Sequence, residues 1–423
     1  MMSSNMNNTN ILVLEENKMK KLLALVLAAL MIFAMAACTP AEPNGGDNES
    51  GDNQQVDSDA KVVKIGIFEP ASGDNGAGGK QETLGIQYAN SIQNTVEIGG
   101  ETYEVQLVSV DNESSNDKAP TAASTLISQG CSIVLGSYGS GVSIAASDVF
   151  KNGGIPVIGV TCTNPQVTEG NTHYFRICFL DPFQGTVLAN YAKENFEASK
   201  AYCLAKLGDD YSGGLVHYFT QAFEALGGTV VSEEFQEGNS DFTSYITKAK
   251  NEGCDVFFAP VSTEAAALII EQASSQGLDM PIMAGDTWDS NVILNAAKGK
   301  DVSVYVTTFY QEGGDPEFDA GVKAWINSDS TNLANNGGDD TVAAVTAMGY
   351  DAYFTALEAI KAADSTDPKA INEALWDVKY DGVTGHIEFD DVNGDALRDV
   401  AYVKTANTET GAWDFVTVQS VSE

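Results

Sequence analysis

From Val62 onward the chain repeats one pattern: a short apolar run, a loop of Gly, Ser and Asp, and then a stretch of helical period. The apolar runs fall at 62–68, 105–110, 132–135, 156–160, 201–206, 256–259 and 281–284. Runs that are nearly continuously apolar, rather than apolar on alternate residues, belong to strands buried on both faces, and alternation with helices makes the sheets parallel. The series occurs twice, over 62 to about 181 and again over 201 to about 308. The fold class expected is therefore α/β, with two doubly wound parallel sheets. A helical stretch at 315–377 follows, and strand-like segments at 385–389 and 398–404 return late. Among the helices, 214–226 places Leu215, Phe219, Ala222, Phe223 and Leu226 on one side, and 316–327 groups Phe318, Val322, Trp325 and Ile326. These stripes are expected to pack in the core. Two such halves leave a gap between them, and ligands of open α/β sheets bind beyond the carboxyl ends of the strands.

The N-terminal segment carries a different message. Lys18, Lys20 and Lys21 precede thirteen consecutive apolar residues, 22–34. That length is short for a bilayer span and suits the apolar region of a secretion signal. Met35-Ala36-Ala37-Cys38 then resembles a bacterial lipoprotein cleavage box, in which Cys38 becomes the lipidated first residue of the mature chain. The alternative is an uncleaved N-terminal anchor. On either reading the remainder lies outside the cytoplasm, held to the outer face of the cell membrane. Residues 39–60 hold six acids, no base and three apolar residues, too little apolar surface to order themselves, and are read as a tether. The 17 residues before Lys18 look like an upstream start ahead of Met19.

Charge narrows the partners. With 22 Lys+Arg against 59 Asp+Glu, the net charge of −37 repels nucleic-acid phosphates and anionic headgroups. Beyond Cys38 five cysteines remain, and Cys131, Cys203 and Cys254 sit in apolar runs as small hydrophobes. No C-x-x-C occurs, and the three histidines, His173, His217 and His386, offer no zinc spacing, so neither metal nor cofactor is expected.

Four loops sit where strands end and helices begin: 69–73, 136–141, 159–163 and 208–212. The second, Gly136-Ser137-Tyr138-Gly139-Ser140-Gly141, lets backbone amides approach a ligand, and a helix starting near Val142 directs its positive end into it. An anion is held there without lysine or arginine, with Ser140 adding a hydroxyl and Thr161 and Thr163 adding acceptors. The dinucleotide fingerprint fails because Ile144 stands where glycine or alanine is needed, and no Gly-Lys-Ser/Thr occurs. A hydrolase with Ser140 as nucleophile lacks both a placed base and a Gly-x-Ser-x-Gly turn.

Lys64-Ile65-Gly66-Ile67 leading to Pro70-Ala71-Ser72-Gly73, Ile133-Val134-Leu135-Gly136 with Ser140 and Ala146-Ser147-Asp148, and Gly154-Ile155-Pro156-Val157-Ile158 follow one another in order. Tyr174-Phe175-Arg176, Asp209-Asp210-Tyr211-Ser212-Gly213, Asp241-Phe242-Thr243 and Gly382-Val383-Thr384-Gly385 with Phe389-Asp390 continue the series. In that order and spacing the chain resembles the leucine/isoleucine/valine-binding type of periplasmic binding protein, over about 62–404. The resemblance implies a type I periplasmic binding fold, two doubly wound lobes joined by a hinge. Residues 61–181 and 309–385 would form the N-terminal lobe, and 182–308 and 386–423 the C-terminal lobe. It implies a monomeric receptor delivering an amino acid, branched-chain or related, to an ABC permease. Ser140 matches the serine holding the α-carboxylate, Thr161 the carbonyl receiving the α-ammonium, and Thr163 a threonine contacting both. Tyr211 matches the tyrosine reaching across from the second lobe, and Asp286 an acid pairing with the ammonium; the alternative for Asp286 is a helix cap before 287–297. Tyr138 is a side-chain wall or else sheet-edge packing. Gly76-Ala77-Gly78-Gly79 replaces an aromatic of several relatives and is expected to leave that side of the pocket open, which would admit a larger or more polar amino acid. Pro260-Val261-Ser262-Thr263 also differs from aromatic-containing relatives and leaves the ligand side chain unassigned. The same fold would also serve a sensor that reports its ligand to a receptor or kinase, or a binder of a small amide or another zwitterion.

Overall fold

The structure, a computed structural model, describes residues 61–420. The signal, Cys38 and the acidic tether lie outside the described residues. The first half runs β1 (Val62–Ile67), α1 (Gly76–Ile92), β2 (Thr95–Ile98), β3 (Glu101–Ser109), α2 (Ala119–Ser128), β4 (Ile133–Leu135), α3 (Ser140–Gly153), β5 (Val157–Gly159) and β6 (Tyr174–Arg176). Its sheet has the order β2-β3-β1-β4-β5-β6, parallel except for the β2–β3 hairpin. Strand order therefore reverses between β1 and β4, and the loops after those two strands diverge around an open crevice.

The second half runs α4 (Asp181–Phe196), β7 (Lys200–Lys206), α5 (Asp210–Ala225), β8 (Thr229–Phe235), α6 (Thr243–Asn251), β9 (Val256–Phe258), α7 (Thr263–Ser275), β10 (Ile282–Ala284), α8 (Asn291–Ala297) and β11 (Val304–Thr308). After it come α9 (Pro316–Ser328), α10 (Ser330–Asn335), α11 (Ala344–Ala363), α12 (Pro368–Leu375), the hairpin β12 (Lys379–Gly382) and β13 (Gly385–Glu388), and finally β14 (Val400–Asn407) and β15 (Ala412–Ser420). The second sheet is β15-β14-β11-β10-β9-β7-β8, parallel from β11 to β8 and closed at one edge by antiparallel β14 and β15. Here the reversal lies between β7 and β9.

The apolar runs explain both cores. Val63, Ile65 and Ile67 of β1 pack with Ile133, Leu135, Ile158 and Phe175 beneath Met348, Ala352 and Tyr353 of α11, so chain from the last third covers the first sheet. On the other face Phe68, Val134 and Val157 meet Phe150 of α3. In the second lobe Leu215, Phe219 and Phe223 are buried as their spacing requires, with the Phe219 and Phe258 rings stacked 4.2 Å apart. Two details differ from expectation. Helix α5 starts at Asp210, because the Asp209 carboxylate accepts from Ser212 N at 2.8 Å and caps it, and Leu226 lies past its end, 43% exposed.

The lobe boundary expected between 385 and 386 falls inside β13, and a hairpin strand cannot be divided between lobes. Ile387 and Phe389 join the first-lobe core, Phe389 against Phe175 at 5.2 Å, and Asp395 pairs with Arg176 at 2.5 Å. The chain thus returns to the second sheet only after Arg398, whose guanidinium donates to the carbonyls of Ile177 and Thr384.

Helices α1 and α11 approach so closely that a Cβ on Gly85 would lie 1.9 Å from the Thr346 carbonyl oxygen. On an isolated helix Gly→Ala stabilises. Here Gly85→Ala is expected to lower stability by about 1–3 kcal/mol, read as a reduced urea midpoint.

Candidate functional site

Loops that follow the carboxyl ends of the strands in the two sheets face one another across the gap between the lobes. From the first lobe, the loop after β4 brings Tyr138, Gly139 and Ser140, and from the second, α5 brings Tyr211 and the segment after β10 brings Asp286 and Thr287. Tyr138, Ser140, Tyr211 and Thr287 line one cavity. Helix α3 begins at Ser140, two residues before the expected start, with Gly139 as an N-cap that offers no side-chain bond. Its first amides therefore open on that cavity, which also borders Gly141 and Val142. Unsatisfied amides and the aligned peptide dipoles make such an end a seat for a carboxylate.

Ser140 is buried, and its Oγ accepts from Asn164 N at 3.2 Å. Thr161 Oγ1 donates to Glu82 at 2.6 Å, and Thr163 is buried with its hydroxyl unpartnered among the described residues. Asp286 stands behind Tyr211, accepting from the Tyr211 hydroxyl at 3.1 Å and from Gln184 Nε2 at 2.9 Å through Oδ1, while its buried Oδ2 has no protein partner among the described residues. Thr161, Thr163 and Asp286 thus flank the cavity without forming its wall. Asp286 is not the cap of a helix over 287–297: a 3₁₀ turn occupies Asp286–Trp288, and Ser290 caps α8 by accepting from Val292 N at 3.2 Å.

Tyr138 corrects a further expectation. Gly76-Ala77-Gly78-Gly79, expected in a loop, forms the first turn of α1, and a Cβ on Gly78 would lie 2.4 Å from the Tyr138 ring, so these glycines leave no opening; Tyr138 fills the space. Its hydroxyl donates to the Thr287 carbonyl at 3.1 Å, one of several bonds joining the lobes. Asn164 Nδ2 reaches the Asp210 carbonyl at 2.7 Å, and Lys206 bridges to Asp74 at 2.7 Å.

Sequence reasoning did not assign the polar groups behind this surface. Glu69, Glu82, Asp181 and Gln184 are all buried, and each keeps a carboxyl or carboxamide oxygen without a partner among the described residues. Burial pushes Asp286 up to about 6 and Asp181 up to about 8, and lifts Glu69, which also feels the charge of Glu82. Glu69 follows directly on an apolar strand and was legible as a loop residue; Asp181 and Gln184 open a helix, where polar residues are ordinary. Arg176 was noted only within a motif. It is fully buried in β6 and donates to the carbonyls of Cys162 at 2.9 Å and Asn164 at 2.6 Å, shaping the loop that carries Thr161 and Thr163.

Two doubly wound lobes that bring hydroxyls and helix amides to a shared cavity, with an unpartnered carboxylate oxygen just behind its wall, define a ligand-binding protein of the clamshell kind. The chain belongs to the periplasmic binding protein family, whose model matches residues 62–411. A Leu/Ile/Val-binding protein homolog of Brucella abortus is 29% identical over 84% of this chain and 93% of its own length. An amino acid binding protein of Pseudomonas aeruginosa is 30% identical over 78% of this chain and 86% of its own. Among solved structures, a leucine-binding protein LivK from Thermotoga maritima superposes with a TM-score of 0.75 at 31% identity, covering 85% of this chain and 99% of that one. LivJ of Streptococcus pneumoniae, in complex with isoleucine, gives 0.72 at 25% identity, with 85% and 99% covered. This chain is accordingly an extracytoplasmic solute-binding protein of the ABC-transporter type, and not an enzyme.

A carboxyl whose folded pKa is raised holds its proton in the folded state over a range where the unfolded chain has lost it, so its share of stability falls as pH rises through that range. For Asp181 the range runs from 3.8 to about 8. Asp181→Asn, which cannot ionise, should therefore gain stability relative to the parent as pH is raised from about 5 to about 8 in urea titrations. A constant difference across that range would show that Asp181 does not titrate as burial requires.

Proposed function

We propose that this protein captures a free amino acid between its lobes and delivers it to an ABC permease. The observation that carries the reading is a pair of unlike charge seats, the uncapped N-terminus of α3 with Ser140 on the cavity wall of one lobe and, behind Tyr211 on the other, the unpartnered Oδ2 of Asp286. The α-carboxylate sits on the amides and hydroxyl of the first. The α-ammonium is received by Asp286 and by the Thr161 carbonyl with the Thr163 hydroxyl. A zwitterion satisfies both at once, whereas a plain carboxylic acid leaves Asp286 buried and unpaired, which is costly. Since contacts come from both lobes, the closed form binds better than the open one, and only such a difference drives closure. The names of the relatives favour a branched-chain or related amino acid. In the mature protein Cys38 carries the lipid, and the segment 39–60 tethers the lobes to the outer face of the membrane.

With the purified full-length protein in mild detergent, a panel of the twenty amino acids and simple aromatic acids should produce one class of hits, amino acids. A ligand at a hundredfold its Kd adds about 2.7 kcal/mol of stability. Ser140→Ala and Asp286→Ala should each weaken that ligand by roughly 10- to 100-fold, the worth of a charge-assisted hydrogen bond, without loss of the folded baseline. Parent-like affinity in both variants would show the site is elsewhere. For the anchor, Cys38→Ala should abolish incorporation of labelled fatty acid and release the protein from the membrane fraction; retained label would place the lipid on another residue.

A further inference from the structure

One side of the cavity is not used by the zwitterion contacts. Beyond Ser140 it is lined by Asp74, Asn75 and Asn116 of the first lobe and by Lys206, Asp209 and Ser262 of the second. The apolar surface on offer is small, Pro70 and Val142 together with the two tyrosine rings. One of those rings, Tyr138, is already pressed against Gly78 and tied through its hydroxyl to the Thr287 carbonyl. A branched aliphatic side chain entering here would strip water from carboxylates, amides and an ammonium and return no hydrogen bond.

The charges on this side are already matched within the protein. Lys206 Nζ lies 2.7 Å from Asp74 and 3.8 Å from Glu237, and Asp209 accepts from Ser212 N at 2.8 Å as the cap of α5. A ligand carboxylate on this side would face Asp74 and Asp209, and a ligand ammonium would face Lys206. A neutral group that both donates and accepts meets neither repulsion. Asn75 uses its backbone amide on Ser114 Oγ at 3.1 Å, while its carboxamide has no hydrogen bond among the described residues.

Resting on the amino-acid reading above, we infer that the ligand side chain ends in an uncharged hydrogen-bonding group, an amide or a hydroxyl, and that Asn75, Asn116 and Lys206 select it over a branched aliphatic chain. The departure from the specificity in the relatives' names lies in the wall of the pocket, where Tyr138 excludes aliphatic bulk and polar groups take its place.

Calorimetric titration of the full-length protein in detergent with glutamine, asparagine, serine and threonine, against leucine, isoleucine and valine, and against lysine and glutamate, tests the inference. At least one amide or hydroxyl amino acid should bind about tenfold more tightly than every aliphatic or charged one. The double variant Asn75→Ala/Asn116→Ala should cost that ligand about tenfold while leaving the weak binding of leucine unchanged, a loss of selectivity that general unfolding would not produce. If leucine, isoleucine, valine or a charged amino acid binds most tightly, the inference is overturned and the amino-acid reading stands. If no amino acid of any class binds, both are overturned.

Discussion

The ion pair between Arg176 and Asp395 holds together parts of the molecule that are 219 residues apart. Arg176 sits at the end of β6 with no exposed surface, and Asp395 reaches it from the segment that follows the β12–β13 hairpin. Removing either partner would leave a buried charge uncompensated, at a cost of about 3–5 kcal/mol. The same guanidinium also fixes the carbonyls of Cys162 and Asn164 and the hydroxyl of Thr168. One side chain thus sets the late chain onto the first sheet and shapes the loop presenting Thr161 and Thr163. A second buried pair, Lys404 with Asp289 at 2.8 Å, performs the corresponding task in the second lobe by tying β14 to the segment after β10.

Around the cleft the molecule tolerates polar groups that an ordinary core would exclude. Glu69, Glu82, Asp181 and Asp286 are buried without a basic partner among the described ion pairs, and burial keeps their protons on to higher pH than usual. Such a surface is less stable than an apolar one of the same shape. Its use lies in recognition, because a ligand that supplies the missing donors is worth more in a dry cleft than in water. The bonds between Tyr138 and Thr287, Asn164 and Asp210, and Lys206 and Asp74 hold the lobes in this relation.

Much of this was legible along the chain. The central strands were readable because a parallel strand buried on both faces must be largely apolar: β4, β5, β9 and β10 carry no charge, and β1 and β7 carry lysine only at Lys64, Lys200 and Lys206. The edge strands were not: β2, β8 and β15 meet solvent and carry glutamates, aspartate and threonines that read as loop. The hydroxyls of Ser140, Thr161 and Thr163 were legible from the loops at strand ends, but Tyr211 and Asp286 only through resemblance, since an Asp after a strand also caps helices. The segment after β10 shows the ambiguity, where Ser290 and not Asp286 turned out to be the cap. The space at Gly78 was misread because nothing in neighbouring residues says that a tyrosine 60 positions later fills it.

The sequence by itself determined the alternation of strand and helix, the repetition of that unit and the polar loops at strand ends, because each depends on burial and backbone hydrogen bonding within one element. Only the tertiary structure decided which loops meet, where the late chain crosses between lobes, and that Tyr138 rather than open space bounds the cleft. Those outcomes depend on close packing between residues distant in the chain, and packing is a property of shapes brought together that no local pattern encodes.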